Sequence, residues 1–177
     1  MTGPIRRIVT GHDHLGKAVV LFDSIDSHKR VRPQTGVVSR TLWVCDRSPA
    51  SISETQDTVP ESGGIAPPDN GSAMHIVDFP PWKSDSGVPQ DYMQRNVGGA
   101  QSAAPKTHPH PMVHRTRTLD YAIILAGEID MLLDDTAVHC KAGDVVIQQG
   151  TTHGWVNNGS EMCRIAFVMI DAEQWPV

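Results

Sequence analysis

The stretch His114-Arg115-Thr116-Arg117-Thr118-Leu119-Asp120-Tyr121-Ala122-Ile123-Ile124-Leu125-Ala126-Gly127-Glu128 decides what architecture to expect of this 177-residue chain. Residues alternate faces along a strand. A run such as Tyr121 to Leu125, ending on Ala126-Gly127 and restarting at Glu128, therefore reads as strand, tight turn and strand. Towards the C-terminus, Glu128 to Leu133, Ala137 to Cys140, Asp144 to Gln149, Thr152 to Val156 and Cys163 to Ile170 follow at short intervals. The segments between them, Asp134-Asp135, Lys141-Ala142-Gly143, Gln149-Gly150 and Asn157-Asn158-Gly159, are rich in turn-forming residues. Many short strands with Gly, Asn and Asp turns predict an all-β barrel or sandwich.

Towards the N-terminus the pattern thins. Ile5 to Thr10 and Lys17 to Phe22 predict two strands joined through Gly11 to Gly16, which makes His12-Asp13-His14 a solvated hairpin turn rather than a metal pair. Val37 to Cys45 predicts a third strand, and Met74 to Phe79 a fourth, stopped by Pro80-Pro81. Arg47 to Ser72 reads as a polar loop or flexible arm. Trp82 to Pro111, with Gly98-Gly99-Ala100-Gln101-Ser102 at its centre, reads as a long irregular segment of the kind that covers a pocket mouth. No stretch carries a sustained helical period, and no internal repeat is present. One structural domain is expected, with 1–111 supplying N-terminal strands and long loops that extend the barrel sheets, and 112–171 forming its core.

Hydrophobic residues make up 39% of the chain and charged residues 20%, which is a globular composition. A net charge of -5, a pI near 5.9 and no Lys/Arg run argue against a nucleic-acid partner. The apolar runs are strand-length, which argues against a membrane span, and no secretory leader follows Arg6-Arg7. Cys45, Cys140 and Cys163 form no Cys-x-x-Cys pair, so reduced thiols packed in strands of a cytoplasmic protein are expected. The chain contains no phosphate loop, serine nucleophile elbow, dinucleotide fingerprint or thiol redox pair.

Together with Gly143-Asp144-Val145-Val146-Ile147-Gln148-Gln149-Gly150-Thr151-Thr152-His153-Gly154-Trp155-Val156-Asn157, the first stretch resembles the two motifs of the cupin superfamily, H-x-H-x(3,4)-E-x(6)-G and G-x(5)-P-x-G-x(2)-H-x(3)-N. His114 stands on the first histidine, Asp120 on the glutamate and Gly127 on the closing glycine. Gly143, Gly150, His153 and Asn157 stand on the second motif. Three positions depart. Thr116 replaces the second histidine, Asp120 replaces glutamate, and the second motif is one residue shorter before Gly150, with Gln148 in place of proline. The resemblance covers Met112 to about Asp171, about a third of the chain. It implies a single cupin (jelly-roll) β-barrel with an N-terminal strand extension. It also implies a homodimer, for which the strands within Ile5 to Phe22 are natural elements to pair across subunits, since open sheet edges seek partners.

The resemblance further implies one divalent metal ion, Fe, Mn or Zn, held by His114, Asp120 and His153. Two imidazoles and a carboxylate from different strands suit such an ion and leave positions open for water, substrate or dioxygen. Asp120 and His153 are the candidate catalytic residues, as ligands or, without metal, as acid and base. By strand parity His114 and Thr116 share a face, as do His153, Trp155 and Asn157, whereas Tyr121 faces away from Asp120. His110 has the parity of His114, and the prolines between them permit a bend. Thr116, His110, Ala122, Gln148, Trp155, Asn157 and Phe167 are candidate pocket residues. The expected function is that of a metal-dependent enzyme acting on a small oxygenated substrate (carboxylate, carbonyl or aromatic) by Lewis-acid lyase chemistry such as decarboxylation or dehydration. A non-haem Fe(II) dioxygenase is the close rival. Thr116 in place of a histidine keeps a non-catalytic small-ligand-binding barrel as the third reading.

Overall fold

The computed structural model describes residues 3–61, 64–84, 87–97, 102, 103 and 108–173. In chain order the elements are β1 (Arg6–His12), β2 (Ala18–Ile25), β3 (Lys29–Val31), β4 (Val38–Cys45), β5 (Ser72–Phe79), α1 (Tyr92–Val97), β6 (Ser102–Ala103) and β7 (Arg115–Thr116), followed by β8 (Thr118–Ala126), β9 (Glu128–Leu132), β10 (Ala137–Lys141), β11 (Val145–Gln149), β12 (Gly154–Val156) and β13 (Cys163–Asp171). Two sheets make a jelly roll, one of order β11-β8-β13-β5-β4-β3 and one of order β10-β9-β12. Among the described residues no helix is long and apolar enough to cross a membrane.

Period-two alternation builds the core. In β8, Thr118, Asp120, Ala122 and Ile124 are buried, while Tyr121, Ile123 and Leu125 are exposed. Ala122 and Ile124 meet Ile165 and Phe167 of β13 and Val77 and Phe79 of β5. Ile129, Met131, Cys140 and Trp155 close over them from the other sheet. Cys140 and Cys163 are buried free thiols in this layer and Cys45 is a partly buried one, as the sequence suggests. Phe167 packs edge-on to both Phe79 and Trp155, a favoured arrangement of ring quadrupoles. The β8–β9 turn needs Gly127, which has φ +74°, and a Cβ there would lie 2.5 Å from the Met162 carbonyl oxygen.

The N-terminal part divides in two. β3, β4 and β5 extend the larger sheet, whereas β1 and β2 pair only with each other. Ions fasten this hairpin to the outer face of the sheet. Asp26, which follows β2, accepts from Arg40 of β4 (2.6 Å) and from the Ile5 amide. Arg40 reaches on to Asp78 of β5, and Asp78 also receives Arg164 of β13. Arg164 in turn donates to the Gly3 carbonyl. Arg7 of β1 pairs with Asp57 and also reaches the Leu42 carbonyl. Asp57 therefore anchors the polar stretch expected to be a flexible arm, with Val59 buried beside it and the Thr58 hydroxyl accepting from the Val44 amide. That segment packs because its few apolar and ionic side chains find partners on β1 and β4.

Within Trp82 to Pro111, α1 replaces part of the irregular segment; Gly98 to Gln101 lie outside the described residues. Tyr92 and Met93 of α1 cluster with Met112 and Val156. That second cluster explains why Gly154, Trp155 and Val156 are all buried, where a half-exposed strand would alternate.

Candidate active site

His114 and His153 face each other across an antiparallel bridge, each amide donating to the other's carbonyl at 2.8 and 2.9 Å. Gly154 lets the two segments approach, because a Cβ there would lie 2.8 Å from Val113 Cγ2. The bridge sets the two rings side by side, with centroids 4.5 Å apart. Each ring is then oriented by its own backbone, with His114 Nδ1 3.1 Å from the Met112 carbonyl and His153 Nδ1 3.0 Å from the Thr151 carbonyl. A carbonyl can only accept, so in the neutral ring the proton sits on Nδ1 and Nε2 keeps a free lone pair. Burial pushes His114 down to about 4, and burial together with the neighbouring His114 lowers His153 well below the ordinary range. Both rings are neutral near pH 7.

Asp120, on β8, opens into the same cavity. Burial pushes its carboxyl up to about 6, with the Thr118 hydroxyl acting in the opposite direction. Its Oδ1 is buried and has no hydrogen-bond partner, and neither do Trp155 Nε1 or the side-chain amide of Gln148. Gln148 pairs with Asp120 across β11 and β8, so the two side chains share the inner face. Unpartnered buried polar atoms are costly in an ordinary core; two of the residues that carry them here, Asp120 and Trp155, line the cavity, whereas Gln148 does not.

A family model described as Cupin domain matches residues 99–170. The chain is similar to the phomopsin biosynthesis cluster protein C' of Diaporthe leptostromiformis, 30% identical over 178 residues, covering 94% of this chain and 78% of that protein. The chain belongs to the cupin family. It is also similar to the cupin-domain-containing oxidoreductase fogC of Aspergillus ruber, 27% identical over 175 residues, covering 93% of this cupin and 71% of the relative. A solved structure of a Cupin 2 conserved barrel domain protein from Salinispora arenicola aligns over 81% of this cupin and 82% of its own chain, with 17% identity and a TM-score of 0.42.

Cupins commonly bind metals, and the donors here fit a divalent ion in kind. Two neutral imidazoles present free Nε2 lone pairs, each held from behind by a carbonyl, as metal-binding histidines usually are. A carboxylate oxygen without a partner opens into the same cavity. In arrangement, the histidines form the gathered pair. Among the described residues no three His, Cys, Asp or Glu side chains stand close enough together to hold an ion. The arm of Asp120 is one methylene shorter than that of the glutamate in the family motif.

The remaining residues read from sequence divide by what their polar atoms do. Trp155 and Phe167 line the cavity. Thr116 is fully buried and accepts from Thr118, so it joins a hydroxyl pair where the motif has a ligand. Ala122 is core. Asn157 does not line the cavity, because its amide donates to the Phe79 and Glu161 carbonyls and its oxygen accepts from the Gly159 amide, which latches the β12–β13 turn. His110 leans on Trp82, with centroids 4.9 Å apart, rather than joining the two histidines, and its Nδ1 accepts from the Met112 amide. Sequence reasoning missed Arg32, Ser39, Tyr92 and Met93, all of which line the cavity. They come from a turn, an N-terminal strand and a short helix, none of which belongs to either motif.

Proposed function

We propose that this cupin is a metal-dependent enzyme acting on a small, largely apolar oxygenated molecule in the cavity where His114, His153 and Asp120 open. The observation that carries the reading is the bridged histidine pair, with both Nδ1 atoms tied to carbonyls, which makes each Nε2 the lone-pair donor of its neutral ring. His114 and His153 would hold the ion, and Asp120, which opens into the same cavity without joining their pair, would become a third protein ligand only on a rearrangement that brings it to them. A bound divalent ion would polarise a substrate oxygen and, if ferrous, would support reaction with dioxygen. The apolar walls exclude water, and the Trp155 Nε1–H is free to donate to a substrate oxygen. The names of the fungal relatives, an oxidoreductase and a biosynthesis-cluster protein, favour an oxidative tailoring step on a secondary metabolite over decarboxylation or dehydration.

The test is elemental analysis of untagged protein after anaerobic loading with Fe(II), Mn(II) or Zn(II). We expect about one ion per chain, falling below about 0.2 in His153→Ala. Less than about 0.2 in the unaltered protein defeats the reading. That Asp120 stands apart from the histidine pair among the described residues supports a second reading, in which Asp120, with its carboxyl raised to about 6, works as an acid–base group without metal. Turnover that survives chelation and removal of oxygen would select it.

We propose further that the protein is a homodimer. Tyr121, Ile123 and Leu125 of β8 and Val145 and Ile147 of β11 make an exposed, uncharged apolar face, joined through the pairs Ile123–Val145 and Tyr121–Ile147. Such a patch suits a second copy of the same surface better than β1 and β2, whose hairpin is already fastened to its own chain. Light scattering should give the mass of two chains, and Ile123→Lys with Ile147→Lys the mass of one. A single-chain mass for the unaltered protein overturns the proposal.

A further inference from the structure

We propose that the substrate is an amphiphilic anion whose carboxylate is received by Arg32 at the cavity mouth. The inference rests on the reading of this cavity as the substrate site. Of the described residues lining it, only Arg32 and Ile65 are partly exposed and all the others are buried, so these two mark where the cavity meets solvent. The inner end carries His114, His153, Asp120 and the unpartnered Trp155 Nε1. Between the two ends the walls are apolar, with Val37, Phe79, Met93 and Phe167 among them.

Arg32 is held rather than loose. It begins the turn from β3 to β4, where its amide donates to the Val37 carbonyl and its own carbonyl accepts from the Thr35 and Gly36 amides. Its Nη1 donates to Asn96 Oδ1 at 3.3 Å, and Asn96 Nδ2 donates to the Tyr92 carbonyl one helical turn back. The Tyr92 hydroxyl lies 3.3 Å from Thr35 Oγ1, which ties α1 to the same turn. The guanidinium thus has one neutral partner and, among the described residues, no carboxylate. The contrast within the chain is sharp. Arg7, Arg40, Arg117 and Arg164, all partly or fully withdrawn from solvent, each pair with at least one aspartate.

A positioned guanidinium without a counter-charge, at the lip of an apolar cavity, matches a planar carboxylate through two parallel N–H donors. Among the described residues Asp120, at the buried end, is the single acid in the lining. A molecule that fits all three zones carries an oxygen function at its inner end, an apolar body and a carboxylate facing out.

Calorimetric titration of the full-length, chelator-treated protein with 4-phenylbutyrate and its neutral analogue 4-phenylbutanol tests this. The acid should bind about tenfold tighter than the alcohol. Arg32→Gln should remove that preference while leaving the affinity for the alcohol unchanged. Arg32→Lys, which keeps the charge and loses the fork, should fall between them. Equal affinities in the unaltered protein, a preference that survives Arg32→Gln, or no binding of either probe overturns the proposal. Because the titration is done without metal, failed metal uptake with an intact anion preference sinks only the catalytic reading. Normal metal uptake with no anion preference sinks only this inference.

Discussion

Replacing Asp78 by alanine should cost about 3–5 kcal/mol, enough to leave the protein largely unfolded if its total stability lies in the usual range. Asp78 is only 4% exposed, and its two oxygens receive Arg164 Nε at 2.6 Å, Arg164 Nη2 at 2.9 Å and Arg40 Nη1 at 2.9 Å. Burial alone would raise its carboxyl, but the hydrogen bonds from Arg164 and Arg40 hold it below the ordinary value. Truncation leaves two buried guanidiniums facing an unfilled acceptor site, and that orphaned charge, more than the lost attraction, is what destabilises. The consequence reaches the N-terminus, because Arg40 also holds Asp26 and Arg164 also holds the Gly3 carbonyl. The exposed pair of Arg6 and Asp23 is the control. Its loss through Arg6→Ala should leave stability little changed, because solvent screens an exposed pair. Urea unfolding of both variants measures the difference, and an Asp78→Ala protein within about 1 kcal/mol of the parent contradicts the argument.

The same ions show where sequence reading ends. The alternation of β8 is local, so its buried and exposed faces can be read from Thr118 to Ala126 alone, and the turns after it are announced by glycine and paired aspartates. The facing histidines were legible through a motif that encodes their spacing. Nothing local says that Asp78 will meet Arg164, 86 positions away, or that β1 and β2 will lie against the sheet instead of joining it. α1 spans six residues, less than two turns, too short for a 3.6-residue period to stand out. Arg32 carries no signal of its own, since it becomes distinctive only through the fold, which sets no carboxylate against it among the described residues. Asn157 misled for the opposite reason. It occupies a motif position, yet its amide is consumed by backbone groups, so a motif match located the residue without disclosing its work.

Acid should unfold the metal-free protein well before its salt bridges titrate. His75 lies on the inner face of β5, with Nε2 2.9 Å from the Ile65 carbonyl and Nδ1 3.2 Å from the Thr41 hydroxyl, which suits a neutral ring. Burial lowers His75 from 6.5 to about 4, and lowers His114 equally, with His153 moved in the same direction. A histidine whose folded value is depressed binds its proton first in the unfolded chain. Stability is therefore lost as pH falls from 6.5 towards 4, by about 2 kcal/mol each for His75 and His114 at about pH 4.5, with His153 acting in the same direction. Asp120 works against this. Its folded value is raised from 3.8 to about 6, so protonation below 6 relieves a burial penalty, by about 2 kcal/mol at the same pH. The two rings His75 and His114 alone outweigh the one carboxyl, and His153 adds to the loss in the same direction. Asp26 and Asp57 are held down by Arg40 and Arg7 respectively, so their contribution is fully present at neutral pH and is lost as pH falls through the ordinary carboxylate value of 3.8, below the interval in which the histidines act. His75→Gln keeps an amide donor for the Ile65 carbonyl and removes one titrating ring far from the proposed ligands. It should shrink the difference in urea stability between pH 7 and about pH 4.5 by about 2 kcal/mol, whatever it does to stability at pH 7. Equal pH slopes for the variant and the parent would show that His75 does not titrate in that interval, and a parent equally stable at both pH values would refute the accounting for all three rings.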